Sequence, residues 1–164
     1  NPVLVVGIDP GVATTGYGVV KDTREGVCLV DYGVVTTPPK MPIAERLLVL
    51  HQELEKIIQL HRPESAAVEK LFFQRNVTSA IAVGQARGVA LLTLAENRID
   101  VSEYTPLEVK QAVAGYGAAD KKQVQQMVKA LLGMDVIPKP DDAADALAIA
   151  ICHIHSRRYL GLQG

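Results

Sequence analysis

The chain opens on an uninterrupted apolar run, Pro2 to Ile8 (PVLVVGI), β-branched and without alternation, the pattern of a strand buried on both faces. Pro10, Gly11, Gly16 and Gly18 punctuate a turn behind it, and strands are predicted around 15–21 and 27–36, separated by the polar stretch Asp22 to Gly26. These three strands read as an antiparallel meander. From Pro42 to His61, Ile43, Leu47, Leu50, Leu54, Ile57, Ile58 and Leu60 recur at helical spacing as one buried stripe, which Pro63 ends. Ser65 to Val68 is a short apolar strand closed by Glu69. The spacing then predicts a long helix over 78–97, a strand over 99–103, helices over 106–114 and 120–132, and a last helix over 141–155. Thr105 followed by Pro106 reads as a helix N-cap and first helical residue. The order β-β-β-α-β-α-β-α-α-α predicts an α/β fold: a mixed five-stranded sheet with helices on both faces.

Length and composition narrow this little. At 164 residues, with no internal repeat and no linker, the chain suits one domain over 1–164, and 48% apolar against 21% charged residues excludes disordered and fibrous classes. The opening run has no basic residue before it and is broken by Asp9, unlike a secretory signal. The longest later apolar run, Ala146 to Cys152, falls far short of the ~20 residues that span a bilayer. Cys28 and Cys152 read as reduced core thiols. The expectation is a cytoplasmic protein without membrane association. Net charge is −1, yet it is divided: residues 1–69 carry −3, whereas 70–98 carry +3 and 105–139 carry +2. A local basic excess is compatible with one face meeting phosphates, and equally with scattered solvated charge.

The chemistry lies in the carboxylates. Asp9 ends the first strand in the sequence GIDPG, and Glu69 ends the strand AAV. If those strands lie side by side in parallel, both acids emerge at the carboxyl edge of the sheet, where α/β folds place ligands. Taken singly, each has an ordinary alternative: a turn Asp bonded to backbone, or a solvated strand-end Glu. Late in the chain, PDDAADALAIA sets Asp142 three residues before Asp145, and Asp141 four before it. Either spacing gives one helix face with Cβ atoms ~5–6 Å apart, so spacing leaves both pairs open. Asp141, next to Pro140, is a candidate N-cap, and helix-dipole stabilisation alone would explain acids in the first turn. Asp145 sits among Ala, Leu and Ile, where an acid needs a partner or a metal. Clustered carboxylates repel and resist ionisation unless a cation compensates. Hard oxygen ligands without Cys or a His pattern favour Mg²⁺ or Mn²⁺, and two such ions would suit phosphodiester cleavage.

GIDPG with TGYGVV, AVEK with LFF and a nearby Asn, then GQARGVA and DAADALAIA, in this order over about residues 4–155, resemble the RuvC family of Holliday-junction resolvases. The resemblance implies an RNase H-like fold, a homodimer, and Mg²⁺-dependent paired nicking of four-way junction DNA, with Mn²⁺ able to substitute. It assigns the catalytic, metal-holding acids to Asp9, Glu69, Asp142 and Asp145, favouring Asp142 over Asp141. It places the family's DNA-contacting aromatic at Phe72 and two DNA-contacting basic residues at Lys110 and Lys121. RuvA and RuvB branch-migration proteins are the partners it implies. The residues add an independent reading of Phe72 and Phe73: the only two phenylalanines are adjacent, flanked by Lys70 and Arg75, and adjacent residues of a regular element do not share one core face. An exposed aromatic there suits stacking on an unpaired base; a buried loop anchor is the alternative. Lys122, Arg75 and Arg87 are weaker phosphate candidates. Ala80, Gly84 and Gly88 form a small-residue stripe that admits a close backbone, either the sheet or a second subunit. His153 and His155 read as structural or solvated. Two other functions compete: an actin-like or sugar-kinase ATPase, for which the chain is about half the needed length, and a junction-binding module with a vestigial acid cluster.

Overall fold

The computed structural model describes residues 2–70 and 77–163, with side chains through 161. Its elements are β1 (Val3–Asp9), β2 (Thr14–Thr23), β3 (Gly26–Thr36), α1 (Ile43–His61), β4 (Ser65–Glu69), α2 (Val77–Glu96), β5 (Asp100–Tyr104), α3 (Pro106–Ala114), α4 (Lys121–Leu131) and α5 (Asp141–Gln163). The sheet runs β3-β2-β1-β4-β5, antiparallel through the opening meander and parallel from β1 to β4 and β4 to β5. This is the anticipated mixed five-stranded sheet.

Strand β1 is central, and its unbroken apolar sequence follows from that place. Val6 and Ile8 join Leu50, Leu54 and Ile58 of α1 and Ala86, Ala90 and Leu94 of α2 on one face. Val5 joins Leu147 and Ile151 of α5, with Val109, Val113 and Val128 from α3 and α4, on the other. Within α1 the predicted stripe is narrower than expected: Leu60 is 76% exposed, because two positions beyond Ile58 is about 200° around the helix.

The second core layer depends on three glycines. A Cβ on Gly7 would lie 2.2 Å from the Ala146 carbonyl oxygen, one on Gly16 1.9 Å from that of Asp142, and one on Gly18 2.6 Å from Leu147 Cδ2. Bare backbone at these positions lets α5 rest directly on β1 and β2.

Helix α5 is two turns longer than predicted, because its end leaves the core. Arg157 there donates to Ser65 Oγ and Arg158 pairs with Asp22, contacts that hydrophobic periodicity does not register. Asp141 is a helical residue rather than the N-cap: the Pro140 carbonyl accepts from the Ala143 and Ala144 amides, so the helix has already begun. Both cysteines are free, but Cys28 is exposed on β3 rather than in the core. Among the described residues α2 alone is long and apolar enough to cross a bilayer; here Ala86, Ala90, Thr93 and Leu94 bury one face of it in the protein.

Candidate metal centre and nucleic-acid interface

Pairing of β1 with β4 in parallel, with Ile8 opposite Val68, delivers Asp9 and Glu69 to the same sheet edge. Asp9 is itself paired with Gly16 of β2, the residue on which the Asp142 carbonyl rests. The start of α5 is thereby set over the end of β1. Asp9, Asp142 and Asp145 each direct a carboxylate oxygen into one group whose members lie within 4.8 Å of one another. Asp142, not Asp141, completes this trio.

The electrostatics show how poorly the trio is compensated. Burial, followed by the charges of Asp145, Glu69 and Asp142, pushes the Asp9 carboxyl up to about 7. Burial is also the main cause raising Glu69, with Asp145 adding and Lys110 opposing. Asp145 is raised by burial first, against the nearby Lys121 ammonium. Buried carboxylates gathered so that the ionisation of Asp9, Glu69 and Asp145 is opposed form a set to which a hard divalent cation binds well.

Glu69 stands apart from the trio. It lines a cleft of about 230 Å³ with Lys110, Lys121 and Asp145. Lys121 is the first residue of α4, which Asp120 caps reciprocally with Gln123. Its ammonium lies 3.2 Å from Asp141 and 3.7 Å from Asp145. Burial works against that charge, but Asp145, Asp141 and Asp142 together raise its pKa. Asp141 also accepts from Gln125 at 3.1 Å, and these bonds hold its carboxyl below the ordinary range. It therefore anchors Lys121 outside the trio. Lys110, half-buried on α3, lines the same cleft.

Phe72, Phe73 and Arg75 lie outside the described residues. Arg87 turns inward in this structure: it is nearly buried, donates to the Glu69 carbonyl at 2.8 Å, and pairs with Glu103. Its sequence signal, a place in the net-positive segment 70–98, does not separate a buried, paired guanidinium from a solvated one. His153 is structural, as expected. Tyr104 Oη lies 2.7 Å from Nδ1 and Ser65 Oγ 2.9 Å from Nε2, and burial pulls its pKa down to about 4. His155 Nδ1 donates to the Ala112 carbonyl.

The Ala80–Gly84–Gly88 stripe is not explained by the sheet at Gly88, which is exposed and whose added Cβ would meet nothing within 4 Å. On that side Val77, Ile81 and Leu92 are 74, 56 and 58% exposed.

Residues 5–153 match the family described as crossover junction endodeoxyribonuclease RuvC. A protein of that name from Desulfitobacterium hafniense is 58% identical over 161 residues, 98% of each chain. Another, from Chloroflexus aurantiacus, is 60% identical over 151 residues, 92% of each. In three dimensions the chain is similar to Thermus thermophilus RuvC in complex with a Holliday junction substrate, with a TM-score of 0.91, 40% identity and 96% of each chain covered. The yeast mitochondrial Holliday junction resolvase, 17% identical with a TM-score of 0.68, shares the fold. The sheet order, the acid-bearing edge and these likenesses agree, and the chain belongs to the RuvC family.

Proposed function

We propose that this chain, as one domain over 1–164, is a Mg²⁺-dependent endodeoxyribonuclease of the cytoplasm that resolves Holliday junctions by paired symmetric nicks. The observation that carries the reading is the convergence of Asp9, Asp142 and Asp145 at the edge where Glu69 also ends its strand. These four acids hold two divalent ions in this reading, with Mn²⁺ able to replace Mg²⁺. Bound there, the ions supply an activated water and charge stabilisation at the leaving oxygen. The chain's own contribution is placement. Strands β1 and β4 fix two acids, α5 fixes two more, and exclusion of bulk water makes the anionic forms of Asp9 and Glu69 dependent on the cation.

Lys110 and Lys121 flank the cleft and are assigned to phosphates of the scissile strand, which carry no sequence information. Phe72 and Phe73 are assigned to stacking on bases unpaired near the crossover. A homodimer presents two such sites to two equivalent strands. The exposed apolar side of α2, Val77, Ile81 and Leu92 around the open Gly88, supports a second copy packing there. By family membership, RuvA and RuvB are the proposed partners that move the junction.

The test uses end-labelled mobile and immobile four-way junctions and linear duplex, each with Mg²⁺ or with EDTA. Symmetric nicks in the junction with Mg²⁺ alone are expected. Equal cleavage of linear duplex, or nicking in EDTA, would refute the reading; junction binding without nicking would leave a binding module.

A further inference from the structure

The four acids are not equally anchored. Asp142 and Asp145 belong to a buried helix and Asp9 to the central strand, but Glu69 is the last residue of the five-residue β4, and its carboxylate is outside the trio. To join a shared cation its side chain must swing toward Asp9 and Asp145 while its backbone stays put. Among the described residues, two bonds hold that backbone end. The Lys70 amide donates to the Tyr104 carbonyl at 2.8 Å, a bond of the sheet edge, and Arg87 of α2 donates Nη1 to the Glu69 carbonyl at 2.8 Å. The same guanidinium commits Nη2 to Glu103 of β5, whose backbone lies opposite Val68. Arg87 can do this because α2 approaches the sheet through Ala86 and Ala90, both fully buried, which leaves the guanidinium level with the strand ends. A planar fork joining two strands fixes the peptide it holds far better than a single flexible ammonium would.

We propose that Arg87 is a positioning residue for Glu69: it locks the carbonyl of β4's last residue so that the Glu69 carboxylate reaches the cation at low cost. This rests on the reading of Glu69 as a metal ligand, and the experiment separates the two. A purely coulombic role predicts the opposite sign, which makes the idea testable. Removing a positive charge beside clustered acids strengthens cation binding through space, whereas releasing the Glu69 backbone weakens it.

Mn²⁺ binding to the DNA-free protein, followed by the EPR signal of the free ion, is measured for wild type, R87M, R87K and E69Q. R87M and R87K should each bind about tenfold more weakly, the usual scale for outer groups that orient a ligand. Junction binding in EDTA should be unchanged. In nicking assays the half-saturating Mg²⁺ concentration should rise by the same factor, and excess Mg²⁺ should restore most of the rate. R87K retains the charge, so it decides the matter should R87M prove unfolded by circular dichroism. If E69Q weakens binding while R87K and R87M bind as tightly as wild type or tighter, Arg87 does not position Glu69. If E69Q itself binds like wild type, Glu69 is no ligand, and both the reading and the proposal fall.

Discussion

Replacing Asp9 with asparagine removes the acid whose ionisation the fold opposes most. Its carboxyl is pushed up to about 7 from an ordinary 3.8, chiefly by burial. The metal-free folded chain therefore keeps a proton that the unfolded chain has already released. The stability this contributes is complete below about pH 4 and is lost as the pH rises toward 7. A gap of about three pH units corresponds to on the order of 4 kcal/mol. The amide introduced by D9N is neutral at every pH and does not incur that loss. In EDTA at pH 8, D9N should melt about 10 °C above wild type, and the gap should close by pH 4.

His153 makes the difference between the two proteins, and not the wild-type curve, the right observable. Burial first and Arg157 second pull its pKa down to about 4 from 6.5. The neutral ring is the folded form, so its contribution is present above about pH 6.5 and lost as the pH falls toward 4. This slope has the opposite sign to that of Asp9 over nearly the same window, and the wild-type profile in EDTA is flattened accordingly. Subtracting the D9N profile cancels His153. Differential scanning calorimetry from pH 4 to 8 gives the difference, and saturating Mg²⁺ should raise wild type far more than D9N, which nicks no junction. Equal melting of the two proteins at pH 8 in EDTA, or a gap unchanged at pH 4, would show that the cost of ionising a buried Asp9 does not govern this site.

Three further outcomes are expected. G16A forces the Asp142 backbone to retreat by about 1 Å, so nicking should fall about 100-fold with a stability loss of about 1–3 kcal/mol. G7A, which presses on Ala146 one turn further along, should cost similar stability and less rate; single-turnover kinetics beside urea titration distinguish them. D142N should abolish nicking while D141N alters half-saturating Mg²⁺ less than about threefold, since only Asp142 is in the trio. K121M removes the cation that offsets Asp145 and Asp9, so the acidic limb of the pH–rate profile should move upward, read from initial rates between pH 5 and 9.

How much of this was legible in the sequence depended on whether the cause was local. Strand β1 and its terminal Asp9 were, because a segment buried on both faces is written as a continuous apolar run that stops where the site starts. Glu69 was legible in the same way. The choice between Asp141 and Asp142 was not contained in the spacing, since both lie within one turn of Asp145; it is made by where α5 sits on Gly16, a contact between distant segments. The end of α5 was missed because it is exposed, Tyr159 and Leu160 included, and so carries no buried stripe. Arg87 stood in the sequence only as a weaker phosphate candidate, because its partner at Glu69 is a backbone carbonyl, which leaves no residue type to notice.

Packing of α5, and not the acids themselves, holds the trio together. The helix that carries Asp142 and Asp145 also buries Leu147, Ile149, Ile151 and Ile154, none more than 2% exposed. At about 1.5–3 kcal/mol for each such side chain, lifting α5 would forfeit roughly 6–12 kcal/mol. Keeping Asp9 ionised in this buried, acidic place costs on the order of 4 kcal/mol, chiefly from burial. Packing wins, so that cost is relieved by proton uptake at Asp9 and not by displacement of the helix. Cation binding then exchanges a proton for a metal within an arrangement already formed, and metal affinity should rise with pH up to about 7 and level off above it. A metal affinity that did not change between pH 5.5 and 8 would mean that the acids separate in the free protein and assemble only around the ion.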